Sequence, residues 1–238
     1  MRQRYGIIFV HGIVGNNHIF DFLRPYIPNY YEQMFITLKG HGGNAASFFR
    51  TSMSEWKAQV ESAVSDMKKR CNLIVGVGHS MGCLLIMDQA VKGGVSGLFL
   101  LNPPLRVSPG FLMLDNAVKV ITGQLDSPVV RAAKEAYGIE MDYNLLHYYG
   151  WPLRYWELFK EIRRIRRIVL RDIPCRVQAM LSLKDEMVSL SSAEELSKIG
   201  EVSVITLPTS THYYYSDRDR AVIIKEFKFF LTRGEINA

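Results

Sequence analysis

Three residues of this chain have types and positions suited to joint chemistry: a serine, an aspartate and a histidine, each behind an apolar run. The serine is Ser80, in Gly78-His79-Ser80-Met81-Gly82. An apolar run, 73–77, stands directly before this motif and a helical pattern, 83–90, directly after it. A strand that turns within a few residues into a helix forces its central serine into a strained backbone conformation, and side chains on either flank would collide. The strain holds the hydroxyl clear of the sheet, where it can attack a carbonyl carbon. It needs a base to take its proton and an acid to orient that base. A serine that merely caps a helix after a buried strand has the same local pattern. The partners decide between the two readings.

Both partner positions are filled. The run 176–181 leads into Ser182-Leu183-Lys184-Asp185-Glu186, and the run 202–207 leads into a short loop ending at His212. Serine, then acid, then histidine is the order expected when all three follow strands of one parallel sheet. Asp185 is preferred over its neighbour Glu186 because aspartate is the common choice in such a loop. Each residue alone reads as a solvated loop charge or a surface or core histidine; order and strand-end placement together carry the assignment of Ser80, Asp185 and His212. The first run, 6–10, ends in His11-Gly12-Ile13-Val14-Gly15, where one donor for a developing oxyanion is expected. The residue after the serine supplies the other, so the donors are assigned to the backbone N–H groups of Ile13 and Met81.

Among the other histidines, His79 is expected to support the turn by hydrogen bonding, and His18 and His41 to line the site without titrating in it. His147 is read as a packed or exposed helix residue. No dinucleotide fingerprint, phosphate loop or metal-ligand cluster occurs in the sequence, so no cofactor and no metal are expected.

The elements that must position these residues follow from hydrophobic periodicity. Runs at 6–10, 34–38, 72–77, 97–101, 176–181 and 202–207 read as strands, several unbroken by polar residues, which predicts parallel strands covered on both faces. Helical patterns at 53–70, 82–91, 191–198 and 219–231 alternate with them. The fold class is therefore α/β, a mostly parallel, doubly wound sheet with right-handed crossovers. The chain, 1–238, is read as one domain. The long segment at about 105–170, before the penultimate strand, is rich in aromatic residues and has no convincing strand. It is read as a small helical cap over the carboxyl edge of the sheet, with a helical layer that extends the core as the alternative.

Hydrophobic residues make up 48% of the chain and charged residues 22%, the balance of an ordinary globular protein. No apolar run is long enough to span a bilayer, and the run behind the basic N-terminus is too short for a signal-peptide core. A cytoplasmic protein is expected. Cys71, Cys83 and Cys175 are too scattered for a disulfide framework or a zinc site. The net charge of +6 comes with no nucleic-acid-binding motif, so no nucleic-acid partner is expected.

With these residues in view, the chain resembles an α/β-hydrolase, and more narrowly the small bacterial carboxylesterases and monoacylglycerol lipases. The resemblance rests on His11–Gly15, on Leu38-Lys39-Gly40-His41-Gly42-Gly43-Asn44, on Gly78–Gly82 and on Lys184-Asp185-Glu186-Met187-Val188. The segment 212–231 also resembles that family's C-terminal end. The resemblance implies the triad and oxyanion donors reached above, and a sheet lacking the first strands of larger relatives. Two departures stand out. Cys83 takes the place of a glycine common after the serine motif, and Tyr213, Tyr214 and Tyr215 follow His212 where aliphatic residues are usual. The implied activity is hydrolysis of carboxylic esters of apolar acyl groups through an acyl-enzyme on Ser80. Thioester, amide or carbon–carbon hydrolysis, acyl transfer and a non-catalytic ligand-binding role are the alternatives on the same fold.

The segment 161–171 carries Arg163, Arg164, Arg166, Arg167 and Arg171 between apolar residues at helical spacing. It predicts one buried and one cationic face, either solvated or in peripheral contact with a membrane surface. The expected partner is a small ester or lipid-like molecule.

Overall fold

The computed structural model describes residues 3–107, 118–120, 122–140 and 151–236. Eight strands follow in chain order among them: β1 (Tyr5–Val10), β2 (Tyr31–Ile36), β3 (Gly43–Asn44), β4 (Leu73–His79), β5 (Gly97–Leu101), β6 (Ile139–Glu140), β7 (Arg176–Ser182) and β8 (Val202–Leu207). Six of them form one sheet in the order β2-β1-β4-β5-β7-β8. Every pairing in it is parallel, as continuous apolar strands require.

The centre of the sheet is dry on both faces. All five residues of β5 are buried, as are the last five of β1 and the last six of β4. The edge strands β2 and β8 are only partly covered. Their mixed polarity explains why β2 begins at Tyr31, before the apolar stretch that predicts it at 34. Leu38 lies beyond β2, where its N–H donates to His11 Nε2 at 3.1 Å.

Helices Met53–Lys68 and Met81–Val91 cover one face of the sheet; helix Asp217–Ile236 covers the other. Ser52 and Glu55 close a reciprocal capping box at the start of Met53–Lys68. This helix buries Trp56, Val60, Val64 and Met67, the stripe its spacing predicts.

The insertion between β5 and β7 divides into parts with different packing. Residues 108–117 and 141–150, which include Tyr143, Leu145, Leu146, His147, Tyr148 and Tyr149, lie outside the described residues. Helix Pro128–Ala136 and β6 turn back onto the loops that follow β1 and β2. Helix Trp151–Asp172 instead belongs to the flanking layer. Its Leu158, Ile162 and Ile165 are buried in the same core as helix Met81–Val91, and Arg154 donates to the Thr51 carbonyl at 2.6 Å. It serves as the crossover into β7. Among the described residues no helix is long and apolar enough to cross a membrane.

Candidate active site

Ser80 sits between the last residue of β4 and the first of helix Met81–Val91, with φ 50° and ψ −124°. A non-glycine residue at positive φ costs about 1–3 kcal/mol and persists only where its surroundings over-determine it. Those surroundings are visible. The Ser80 N–H donates to the Leu101 carbonyl at 3.0 Å, and a Cβ on Gly78 would lie 2.6 Å from the Cys83 Cα. A Cβ on Gly82 would overlap the Val10 carbonyl. Both glycines of the motif are thus demanded by close approach. Cys83 fills no extra space: it is fully buried, and its Sγ reaches the Leu101 carbonyl at 3.4 Å.

The three strand-end residues meet. His212 Nε2 lies 3.0 Å from Ser80 Oγ, and His212 Nδ1 lies 2.8 Å from Asp185 Oδ2. The other Asp185 oxygen accepts the N–H groups of Met187 and Val188 at 2.8 and 2.7 Å, which aims the carboxylate at the imidazole. Glu186, the rival acid, instead accepts the backbone N–H of His212 at 3.1 Å. All three of Ser80, Asp185 and His212 are nearly closed to solvent.

Electrostatics in this enclosure favour a base. Burial works against the His212 cation, but the Asp185 carboxylate and its hydrogen bond, with the charge of Glu186, more than offset it and leave the imidazole pKa above its ordinary value. Burial likewise pushes Asp185 up, and His212 with the two backbone N–H groups holds it below the usual carboxylate range.

Ile13 and Met81 are both buried. Neither N–H carries a hydrogen bond among the described residues; that of Met81 opens a helix, where the first N–H groups have no intrahelical acceptor. The Ile13 loop lies against the serine, since a Cβ on Gly12 would come within 2.9 Å of the Ser80 Cβ. Its shape is held from outside. Val14 adopts φ 52°, its carbonyl accepts the Gly138 N–H at 2.8 Å, and Gly15 pairs with Tyr137. Asn16 Nδ2 adds bonds to the Glu135 and Tyr137 carbonyls at 2.8 and 3.1 Å. A strap of the insertion, 135–138, therefore ties down the loop that carries Ile13.

The remaining described histidines make no hydrogen bond to Ser80 or Asp185. His79 Nε2 meets the His212 carbonyl at 2.9 Å, and burial, with His212 nearby, lowers its pKa to about 3. As a neutral hydrogen-bonding group it ties the turn to the loop that carries His212, not to the turn's own backbone. His41 packs on His11, Phe48 and Trp56, and burial first, then His11, lowers its pKa to about 3. His18 is exposed and pairs with Asp21 at 2.8 Å. Neither His18 nor His41 bonds to Ser80, Asp185 or His212.

Sequence reasoning missed Asn102. This buried residue at φ 50° accepts the Ser182 N–H at 2.8 Å through Oδ1. Its Nδ2 reaches the His212 carbonyl at 3.3 Å and Tyr215 Oη at 3.4 Å. It thus joins the ends of β5 and β7 to the histidine loop. The available signal was an asparagine directly after an apolar strand and before two prolines. Tyr213 packs edge-on against His212, ring centroids 4.8 Å apart, and meets Tyr137 at 5.7 Å. Among the described residues no group of three or more His, Cys, Asp or Glu is arranged to hold a metal ion.

The alpha/beta hydrolase family matches residues 7–225 of the chain. A thermostable monoacylglycerol lipase from Bacillus sp. (strain H-257) is 35% identical over 89 residues. That match takes in 36% of this chain and spans about a third, 34%, of the relative's length. Among solved structures, one of the metagenome-derived lipolytic enzymes LipS and LipT superposes with a TM-score of 0.76 at 22% identity, covering 97% of this chain and 94% of its own. A soluble variant of monoglyceride lipase from Saccharomyces cerevisiae gives a TM-score of 0.71 at 15% identity, covering 98% and 87%. At such identities the likeness is one of fold.

Proposed function

The chain belongs to the alpha/beta hydrolase family, and from that premise we propose that it is a serine hydrolase of carboxylic esters with apolar acyl groups, of the carboxylesterase or monoacylglycerol lipase kind. The observation that carries the reading is the continuous hydrogen-bonded line from Ser80 through His212 to Asp185, at 3.0 and 2.8 Å, with the serine held in strained backbone. The partial match to a thermostable monoacylglycerol lipase and the fold likeness to lipolytic enzymes support the substrate class.

In this mechanism the Ser80 oxygen bonds to the ester carbonyl carbon as its proton passes to His212 Nε2. The carbonyl oxygen becomes an oxyanion facing the Ile13 and Met81 N–H groups, donors of a type worth roughly 10²–10³-fold each in rate. Asp185 stabilises the imidazolium through Nδ1. When the carbonyl re-forms, the alkoxy group leaves with the proton from Nε2, and an acyl-Ser80 ester remains. Water then gives its proton to His212 and its oxygen to the acyl carbon; Ser80 recovers the proton as the acid departs.

A fluorophosphonate probe tests this directly. One equivalent of label on Ser80, together with turnover of p-nitrophenyl esters and of a monoacylglycerol, is the expected result. Ser80→Ala should lower kcat by about 10⁴-fold or more. A Ser80→Ala protein with near-full esterase activity would overturn the assignment.

A further inference from the structure

Helix Trp151–Asp172 runs from the insertion toward the amino edge of the sheet, where β7 begins. Its exposed described positions are Pro152, Leu153, Trp156, Lys160, Arg163 and Arg167. At helical spacing these fall within one arc of about 100°, so they form a single face. Leu153 and Trp156 are 47% and 48% exposed, and the Lys160 ammonium stands over the Trp156 ring at 5.3 Å.

This face holds no carboxylate. Glu157 accepts the Met53 N–H at 3.1 Å and pairs with Arg154 at 2.9 Å. Glu161 is buried between Arg164 and Lys57. Among the described side chains the arginines of the sequence stripe separate into two groups; the side chain of Arg171 lies outside those described. Arg164 is spent on Asp88 and Glu161, and Arg166 on Glu195 at 2.7 Å. Lys160, Arg163 and Arg167 have no ion pair among the described residues.

The exposed face of another helix carries a different mix of charge. Helix Met53–Lys68 exposes Glu61 and Asp66 beside Lys68, and its acids pair with Lys92 and Lys69. On helix Trp151–Asp172 the apolar side chains stand at the end nearer the carboxyl edge, where Ser80 lies, and the cations trail away from it. A tryptophan and a leucine at headgroup depth with cations beside them suit a bilayer surface of negative charge.

We propose that this face docks the protein on bilayers bearing anionic headgroups. Docking there places the carboxyl edge of the sheet, where Ser80 lies, beside a lipid source. The proposal takes its purpose from the ester-hydrolase reading, but binding is measured without turnover, so the two can fail separately.

The test is co-sedimentation of the whole chain with phosphatidylcholine vesicles, with and without phosphatidylglycerol. The expected result is binding to the anionic vesicles alone, reversed by raised salt. The double variant Arg163→Glu/Arg167→Glu should weaken it by about tenfold or more, and Leu153→Ala/Trp156→Ala should also reduce it. Hydrolysis of p-nitrophenyl acetate should stay at the wild-type rate in both variants, which reports that they are folded. Failure of the wild-type chain to sediment with anionic vesicles, or unchanged partitioning of the charge-reversed variant, would overturn the proposal. So would a self-associated species in sedimentation velocity that the same reversal dissociates while vesicles bind nothing, since a second copy of the chain would then be the occupant.

Discussion

At the scale of single residues, the site rests on opposing effects of burial and charge at His212. A base must be neutral to work, and its raised pKa means that protonation removes it at a higher pH than for an ordinary histidine. Under the proposed mechanism kcat/KM should fall on the acid side with a midpoint above about 6.5. Asp185→Asn removes the larger of the two charges that raise this pKa and leaves burial opposed only by the weaker effect of Glu186. The midpoint should then move to lower pH while the plateau falls by about 10⁴-fold; a pH–rate profile of both proteins reads the two effects separately. His79 needs no such tuning. Held neutral, it bonds the His212 carbonyl, a task it shares with Asn102.

At the scale of elements, the loop that carries Ile13 and the strap of the insertion form one unit. The loop after β1 has a residue at positive φ, Val14, and its neighbours are bonded to the strap at 135–138 by backbone and by Asn16. Asn16→Ala removes both Nδ2 bonds to the strap, and the Oδ1 bond that accepts the His18 N–H, without touching Ser80, His212 or Asp185. Under the proposed mechanism the expected outcome is a fall in kcat of roughly 10- to 100-fold with KM nearly unchanged, as the Ile13 N–H would lose its aim in the transition state. Steady-state kinetics beside a melting curve decide the point. A lower Tm with unaltered kcat would make Asn16 purely structural.

At the scale of the whole molecule, helix Trp151–Asp172 is fastened to the helix that follows Ser80 through charge. Asp88, buried on helix Met81–Val91, pairs with Arg164 and with Lys92. Burial pushes the Asp88 pKa up, and the hydrogen bond and charge of Arg164 outweigh it, so the net shift is downward. A carboxylate whose folded pKa is depressed contributes stability above its unfolded pKa, near 3.9, and loses it as pH falls through the folded value. Asp88→Asn should therefore cost about 1–3 kcal/mol at neutral pH. The gap from wild type should close in urea titrations run at progressively acid pH. A gap independent of pH would place the cost in packing instead.

The chain order of Ser80, Asp185 and His212, the glycines around the serine and the continuous apolar strands were legible in the sequence because each is a local requirement. A tight strand-to-helix turn demands glycine where backbone approaches backbone, and a strand buried on both faces must be apolar throughout. The edge strand β2 was less legible, since one exposed side lets polar residues into it and blurs its start. What needed the tertiary structure was everything set by contacts between distant segments. Asn102 bridges two strand ends to the histidine loop, and the strap at 135–138 meets a loop more than a hundred residues earlier. Arg163, Arg164, Arg166 and Arg167 look alike in the sequence. Only packing decided which would be spent on Asp88, Glu161 and Glu195 and which would face outward, because an ion pair is chosen by the neighbour that folding brings within reach.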